Sequence, residues 1–190
     1  DRCERIYYGS EPVSESRTAK ERRIYELSQV EHPLEAMPTQ IPFRHLCSLI
    51  QIQDGNIEGM IDSLSIRTSE EDLNRLRTRA RCAWNWTQTC APEAFRFSLR
   101  PRGCEPLELP PEESKAIGLL RREIEENLDT HDEKSLGEAI YALAGEARIE
   151  PKDFFKLVYR VLIEKEMGPR LAGFLLTIGK QRALEILGGY

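Results

Sequence analysis

An all-α fold is what this sequence predicts, and three observations carry the prediction. Apolar residues recur at three- and four-residue spacing through most of the chain, most cleanly at Phe154, Leu157, Val158, Val161 and Leu162. Proline and glycine stand where helices start and stop: Pro111 and Pro151 suit a first helical position, and Gly9 and Gly168 suit a C-terminal cap. Strand-like alternation is confined to Phe95-Arg-Phe-Ser-Leu-Arg100, which reads as a short strand or an extended connector. The expected organisation is a multi-helix bundle over residues 1–104, a proline-rich linker at 105–111 and a C-terminal helical domain at 112–190.

Taken in order, residues 1–9 read as the end of a helix stopped by Gly9. Ser14 to Gln29 is amphipathic, with Ile24 and Leu27 expected inward and Lys20, Arg22 and Arg23 outward. Pro33, Pro38 and Pro42 make the next stretch a connector, because each excludes a continuing helix. Phe43 to Ile52 is a helix packed through Leu46, Leu49 and Ile50, and Asp54-Gly55-Asn56 is a turn before a short helix from Ile57 to Leu64. Ser69 can cap a helix running to about Cys90, with acidic residues suiting the positive end of its dipole. Its arginines wrap around it, and Trp84 and Trp86, two apart, cannot enter one core layer together. One of them is free to face a neighbouring domain or RNA, although core packing is the ordinary fate of tryptophan.

Beyond the linker, Pro111 opens a helix to about Asn127 with Ile117, Leu120, Ile124 and Leu128 inward. Ser135 to Arg148 follows, with Leu136, Ile140, Leu143 and Ala147 on one face. The helix from Pro151 presents Lys152, Lys156 and Arg160 on a solvated stripe, and Gly168-Pro169 is expected to close it and begin the next helix with almost no loop. Gly179 to Leu187 is a last short helix before a loose Gly188-Gly189-Tyr190 tail.

That corner is where a ligand is expected. Arg170 would sit in the first turn of a helix, where the dipole disfavours a cation by roughly 0.3–1 kcal/mol unless an anion is near. Gly168-Pro169-Arg170 could therefore hold a phosphate or carboxylate on free backbone N–H groups. The alternative is an internal Glu or Asp that pairs with Arg170 and locks the corner. Lys165, Lys180 and Arg182 lie close by in sequence, with Arg160 and Lys156 as weaker phosphate contacts.

Composition bounds these readings. The 190 residues are 40% hydrophobic and 31% charged, and no run approaches the ~20 apolar residues of a membrane helix, so a soluble chain in the cytoplasm, with no membrane partner, is expected. Its start, without Met and inside an apparent helix, suggests a piece of a longer protein. The net charge of -5 hides an uneven distribution: residues 67–104 carry eight Arg against four acids, 111–150 five cations against eleven acids, and 151–190 seven against four. Two basic segments thus flank an acidic one, which weakly favours a polyanion partner but equally describes solvated helix faces.

Five cysteines, odd in number and without Cys-x-x-Cys spacing, suggest buried or half-buried thiols and neither disulfides nor a metal site. His45 reads as a cap or core partner, and His32 and His131 carry no assignment. The chain shows no Gly-rich phosphate loop, His-Glu-x-x-His or nucleophile elbow.

Four blocks in order resemble one family. They are Asp1-Arg-Cys-Glu-Arg-Ile-Tyr-Tyr-Gly9, then Ile41-Pro-Phe-Arg-His-Leu46, then Arg81-Cys-Ala-Trp-Asn-Trp86 with Ala91-Pro-Glu93, and the stretch 152–175, which contains Gly168-Pro-Arg-Leu171. Together they are similar to the part of class I lysyl-tRNA synthetases that follows the catalytic domain. Where the family has Gly-Pro-Arg-Leu-Gly, this chain has Gly-Pro-Arg-Leu-Ala-Gly.

The resemblance implies a helical region beside the catalytic domain, then a cage-like α-helical anticodon-binding domain. It implies lysine tRNA and the N-terminal catalytic domain as partners, a monomer, and ATP-dependent lysine activation residing elsewhere. Both class I signatures, His-Ile-Gly-His and Lys-Met-Ser-Lys-Ser, are missing from these 190 residues, so no cofactor and no catalytic residue is expected in them. A protein-docking helical module using the Trp84/Trp86 face is the rival expectation.

Overall fold

The computed structural model describes residues 2–29 and 32–190; Asp1, in the first of the four blocks, lies outside them. Among the described residues there are ten α-helices, two single 3₁₀ turns and no strand. None of the helices is long and apolar enough to cross a membrane.

The chain opens with α1 (Arg2–Tyr7) and α2 (Glu15–Ser28), which pack on each other. Gly9 adopts φ +75° just past α1, as its place after the helix predicts. The inward face of α2 differs from the sequence expectation. Ile24 and Leu27 are 44% and 68% exposed, and Tyr25 is the buried residue. The reason is polar: Tyr25 carries its hydroxyl to the buried Glu4, donating to Oε1 at 2.9 Å, and rests its ring against Tyr7 with centroids 4.9 Å apart. Glu4 also accepts from Gln40 Nε2 and from Arg75 Nη2 at 2.5 Å. A buried carboxylate needs such partners, and serving it fixes the rotation of α2.

A first hydrophobic core joins α3 (Phe43–Ile52), α4 (Ile57–Leu64) and α5 (Glu70–Thr89) through Leu46, Ile50, Met60, Leu76, Ala80 and Ala83. The turn at Gly55 is constrained twice: φ is +80°, and a Cβ there would meet the Trp84 ring at 2.7 Å. Trp86 lies between Phe43 and Phe95, with centroids 5.4 and 5.3 Å away. The two tryptophans diverge from one another as helical geometry requires, but both are half-buried against this core and neither is an open face. The arginines of α5 wrap because their partners do: Arg75 reaches Glu4, Arg77 bridges Glu58 and Glu70, and Arg79 donates to the Ile41 carbonyl.

Ser69 caps α5 by accepting the Asp72 N–H at 3.2 Å. Asp72, itself buried, accepts at Oδ2 from the Thr39 N–H and the Thr68 hydroxyl, both at 2.8 Å. Burial pushes the Asp72 carboxyl up, but the bonds from Thr39 and Thr68 outweigh it and hold the group below the usual carboxylate range. A depressed folded pKa contributes stability that is present above the unfolded value of about 3.9 and is lost as pH falls through the folded value. Asp72→Asn should cost about 1–2 kcal/mol at neutral pH and flatten the acid limb of the stability profile below about pH 4. Denaturant melts across that range read both effects, and an unchanged acid limb would rule Asp72 out as a source.

After a 3₁₀ turn at Glu93–Phe95 the chain runs extended; residues 96–100 form no strand. It passes between two cores. Phe95 packs edge-to-face on Trp86, whereas Phe97 packs edge-to-face on Phe174 at 5.2 Å and donates its N–H to Gln51 Oε1 at 2.8 Å. The second core collects α6 (Pro111–Asn127), α7 (Glu133–Ala147), α8 (Pro151–Ile163), α9 (Leu171–Ile178) and α10 (Lys180–Leu187) around Ile117, Leu120, Ile124, Leu136, Ile140 and Phe154. Leu99 of the extended segment and Leu107 and Leu109 of the proline-rich stretch lean on it as well.

The C-terminal tail, expected to be loose, is docked. The Tyr190 hydroxyl accepts from the Leu107 N–H at 2.6 Å, and its carbonyl accepts from Arg121 at 3.3 Å.

Candidate nucleic-acid interface

The corner that presents Arg170 is built differently from the sequence expectation. α8 ends at Ile163, where Glu164 turns left-handed at φ 56° and its N–H bonds the Arg160 carbonyl at 3.1 Å. Gly168 is therefore no cap, and residues 164–170 form a seven-residue connection in place of a direct join. The polar run Glu164-Lys165-Glu166 supplies nothing apolar to extend the buried face of α8.

Gly168 is there for close approach. A Cβ at this position would lie 2.8 Å from Tyr159 Cε1 and 3.1 Å from Ile163 Cδ1. The Tyr159 hydroxyl donates to the Pro169 carbonyl, and burial pushes this phenol up to about 12, so it remains a donor at neutral pH. The ring and hydroxyl of Tyr159 thus hold Gly168 and Pro169 from one side. Arg170 follows as the N-cap residue of α9 and makes no side-chain capping bond. Its side chain is 92% exposed, and the nearest carboxylate, on Glu133, stands 4.0 Å away. At that distance and exposure the pair contributes little. Arg170 is not locked into the fold by an internal acid.

Arg170 looks into a cleft of about 740 Å³. Its other wall is the start of α3, which contributes Arg44, His45 and Ser48, and its floor includes Ile52, Phe174 and Leu176. Arg44 and His45 are exposed and form no salt bridge among the described residues. Guanidinium, imidazole and hydroxyl groups over an apolar floor suit an anionic ligand that also has flat apolar surface. Sequence reasoning gave His45 only a structural role and Arg44 none. Two consecutive basic residues in the uncapped first turn of α3, at the unfavourable end of its dipole, were the available signal.

The other candidates do not converge on this cleft. Lys165 donates to the Glu93 carbonyl at 2.9 Å and ties the corner back to the first core. Lys180 pairs with Asp129 at 3.1 Å. Arg182 donates to the Arg100 carbonyl at 2.8 Å and lies 3.4 Å from Glu185, so it anchors α10 to the residue-100 segment. Arg160 pairs with Glu113 and lines a separate groove with Leu107 and Pro110, and Lys156 lies 3.6 Å from Glu166. The solvated stripe read on α8 is thus partly an ion-paired one.

No protein-family model matches the chain. Curated relatives do. The chain is 40% identical over 191 residues to a lysine–tRNA ligase of Borreliella burgdorferi, with all of this chain and 36% of the relative covered. It is 36% identical to that of Treponema pallidum over 192 residues, again covering all of the chain and 36% of the relative. It is 34% identical to that of Thermococcus kodakarensis over 197 residues, covering 98% and 36%. Each of these alignments thus covers 98% or more of the chain. The chain is homologous, essentially from end to end, to a stretch amounting to 36% of a lysine–tRNA ligase.

Proposed function

We propose that the chain is the post-catalytic, C-terminal part of a class I lysine–tRNA ligase and that it grips the anticodon limb of lysine tRNA. The observation that carries this reading is the exposed Arg170 guanidinium, held out by the Tyr159-locked corner over a cleft whose other wall is basic. Anticodon bases are unstacked and can lie on guanidinium planes while Lys and Arg neutralise the backbone. The remaining length of the ligase would be the chain's second partner and would carry ATP-dependent attachment of lysine; this part would bind no ATP and activate no lysine alone. A monomer in the cytoplasm accords with the reading.

Docking of a protein through Trp84 and Trp86 gains nothing from the fold, since Trp84 packs beside Gly55 and Trp86 between Phe43 and Phe95.

Titration of the chain with a lysine-tRNA transcript and a non-cognate transcript, each at two ionic strengths, tests the proposal. Tighter binding of the lysine tRNA is expected, with affinity falling steeply as salt rises. Arg170→Ala should weaken it roughly tenfold at low salt and leave the melting temperature unchanged, because Arg170 contributes almost nothing to the fold. Equal and negligible binding of both transcripts would overturn the reading.

A further inference from the structure

We infer that Arg44 and His45, at the start of α3, form the second wall of the RNA site, so that a single-stranded RNA segment is clamped between α3 and the Gly168–Arg170 corner. This rests on the chain being a tRNA binder and adds where, and between which helices, the strand lies.

Three observations converge. Arg44 and His45 line the same cleft as Arg170, and neither forms an ion pair among the described residues. Glu133 is the one carboxylate among the described residues of the cleft lining, which are cationic in sum in a chain whose net charge is -5. The cleft also continues: Arg44, Ser48, Gly168 and Pro169 line both it and a smaller recess that adds Phe95, Arg96 and Met167. Cleft and recess thus form one continuous trough that meets at Arg44, with Arg170 lining the cleft and the exposed Met167 lining the recess.

A strand fits this layout better than a point anion. Successive phosphates need cations at intervals along a track, and unstacked bases need flat or apolar surface between them. Arg44 and Arg170 supply charge and planar faces on opposite walls, while Phe174, Leu176 and Ile52 supply the floor. An acidic peptide would satisfy the cations but does not repeat a flat ring with every charge, as a nucleotide strand does. Glu133 opposes the phosphates from the rim, beside Arg170.

The test is equilibrium binding of the lysine-tRNA transcript, of its anticodon stem-loop and of polyglutamate to the wild-type chain and to Arg44→Ala, His45→Ala, Arg44→Lys and Glu133→Gln variants. Lys152→Ala, an exposed cation on α8, is the control. Arg44→Ala should weaken both RNAs about five- to twentyfold at low salt and reduce the slope of log affinity against log salt by about one. Arg44→Lys should restore the slope, His45→Ala should weaken binding by a smaller factor, and Glu133→Gln should tighten it about two- to fivefold by removing the competing carboxylate. Melting temperatures should stay level throughout, separating lost contacts from lost structure.

Wild-type affinity and slope in Arg44→Ala and His45→Ala, alongside weakened Arg170→Ala, would overturn the clamp and leave the tRNA reading standing. Absence of RNA binding by the wild-type chain would remove both. Binding of polyglutamate but not RNA, abolished by Arg44→Ala, would assign the trough to an acidic protein and overturn the clamp.

Discussion

Arg75→Ala is expected to lower the unfolding free energy by about 3 kcal/mol, the low end of the range for breaking a buried ion pair. Glu4 is only 2% exposed and cannot recruit water freely once its cation is gone. The low end applies because the Arg75 side chain itself keeps 29% exposure and because Tyr25 and Gln40 still donate to the carboxylate. The loss should fall on the junction of α1 and α2 with α5, since Glu4 links all three. Removing both charges with Glu4→Gln and Arg75→Met should recover stability to within about 1 kcal/mol of wild type, because an uncharged site has no desolvation penalty to offset. Denaturant unfolding of the two variants measures both effects. Equal stability of Arg75→Ala and wild type would mean that the pair is solvated and does not organise the N-terminal helices.

Gly168→Val is expected to cost about 1–3 kcal/mol and to reduce lysine-tRNA affinity as far as Arg170→Ala does, although it removes no charge. The branched side chain must enter space that the Tyr159 ring and Ile163 already occupy, with even the first carbon 2.8 Å from Tyr159. Relief requires either Tyr159 to leave its buried position or the chain to swing outward, and the second option carries Pro169 and Arg170 away from α3. Thermal melts combined with the tRNA titration separate the outcomes. A normal melt and normal affinity would show that the corner does not depend on the close approach of Gly168 to Tyr159.

Most helices were legible because their signals are local. Ser69, Pro111 and Pro151 mark starts, and the spacing of Phe154, Leu157, Val158 and Val161 faces α8 inward, all as found. α2 was misjudged because its rotation is set by a polar contact between residues 21 positions apart, Glu4 and Tyr25, which no apolar periodicity encodes. The end of α8 was misplaced because glycine has two uses. At Gly168 the one in force is room for an aromatic ring nine residues earlier, a relation visible only once the helix is folded.

The candidate site divided in the same way. Arg170 stands out from the chain alone, since a cation beside a helix start in a Gly-Pro-Arg corner is a local anomaly, and the structure leaves it exposed beside a cleft. The neighbours chosen with it on sequence proximity were drawn off by partners elsewhere: Lys165 to residue 93, Lys180 to 129, Arg182 to 100 and Arg160 to 113. Side-chain partners at such separations are decided by packing.

By itself, then, the sequence determined the helical class, nearly every helix start, the four blocks shared in order with lysyl-tRNA synthetases and the presence of a cation close to a helix start at Arg170. Only the tertiary structure decided that Arg44 and His45, more than 120 positions earlier, stand across a cleft from it. The physical reason is that helix propensity, capping and periodicity act over a turn or two of chain, whereas a cleft is the space left where separately built helices meet.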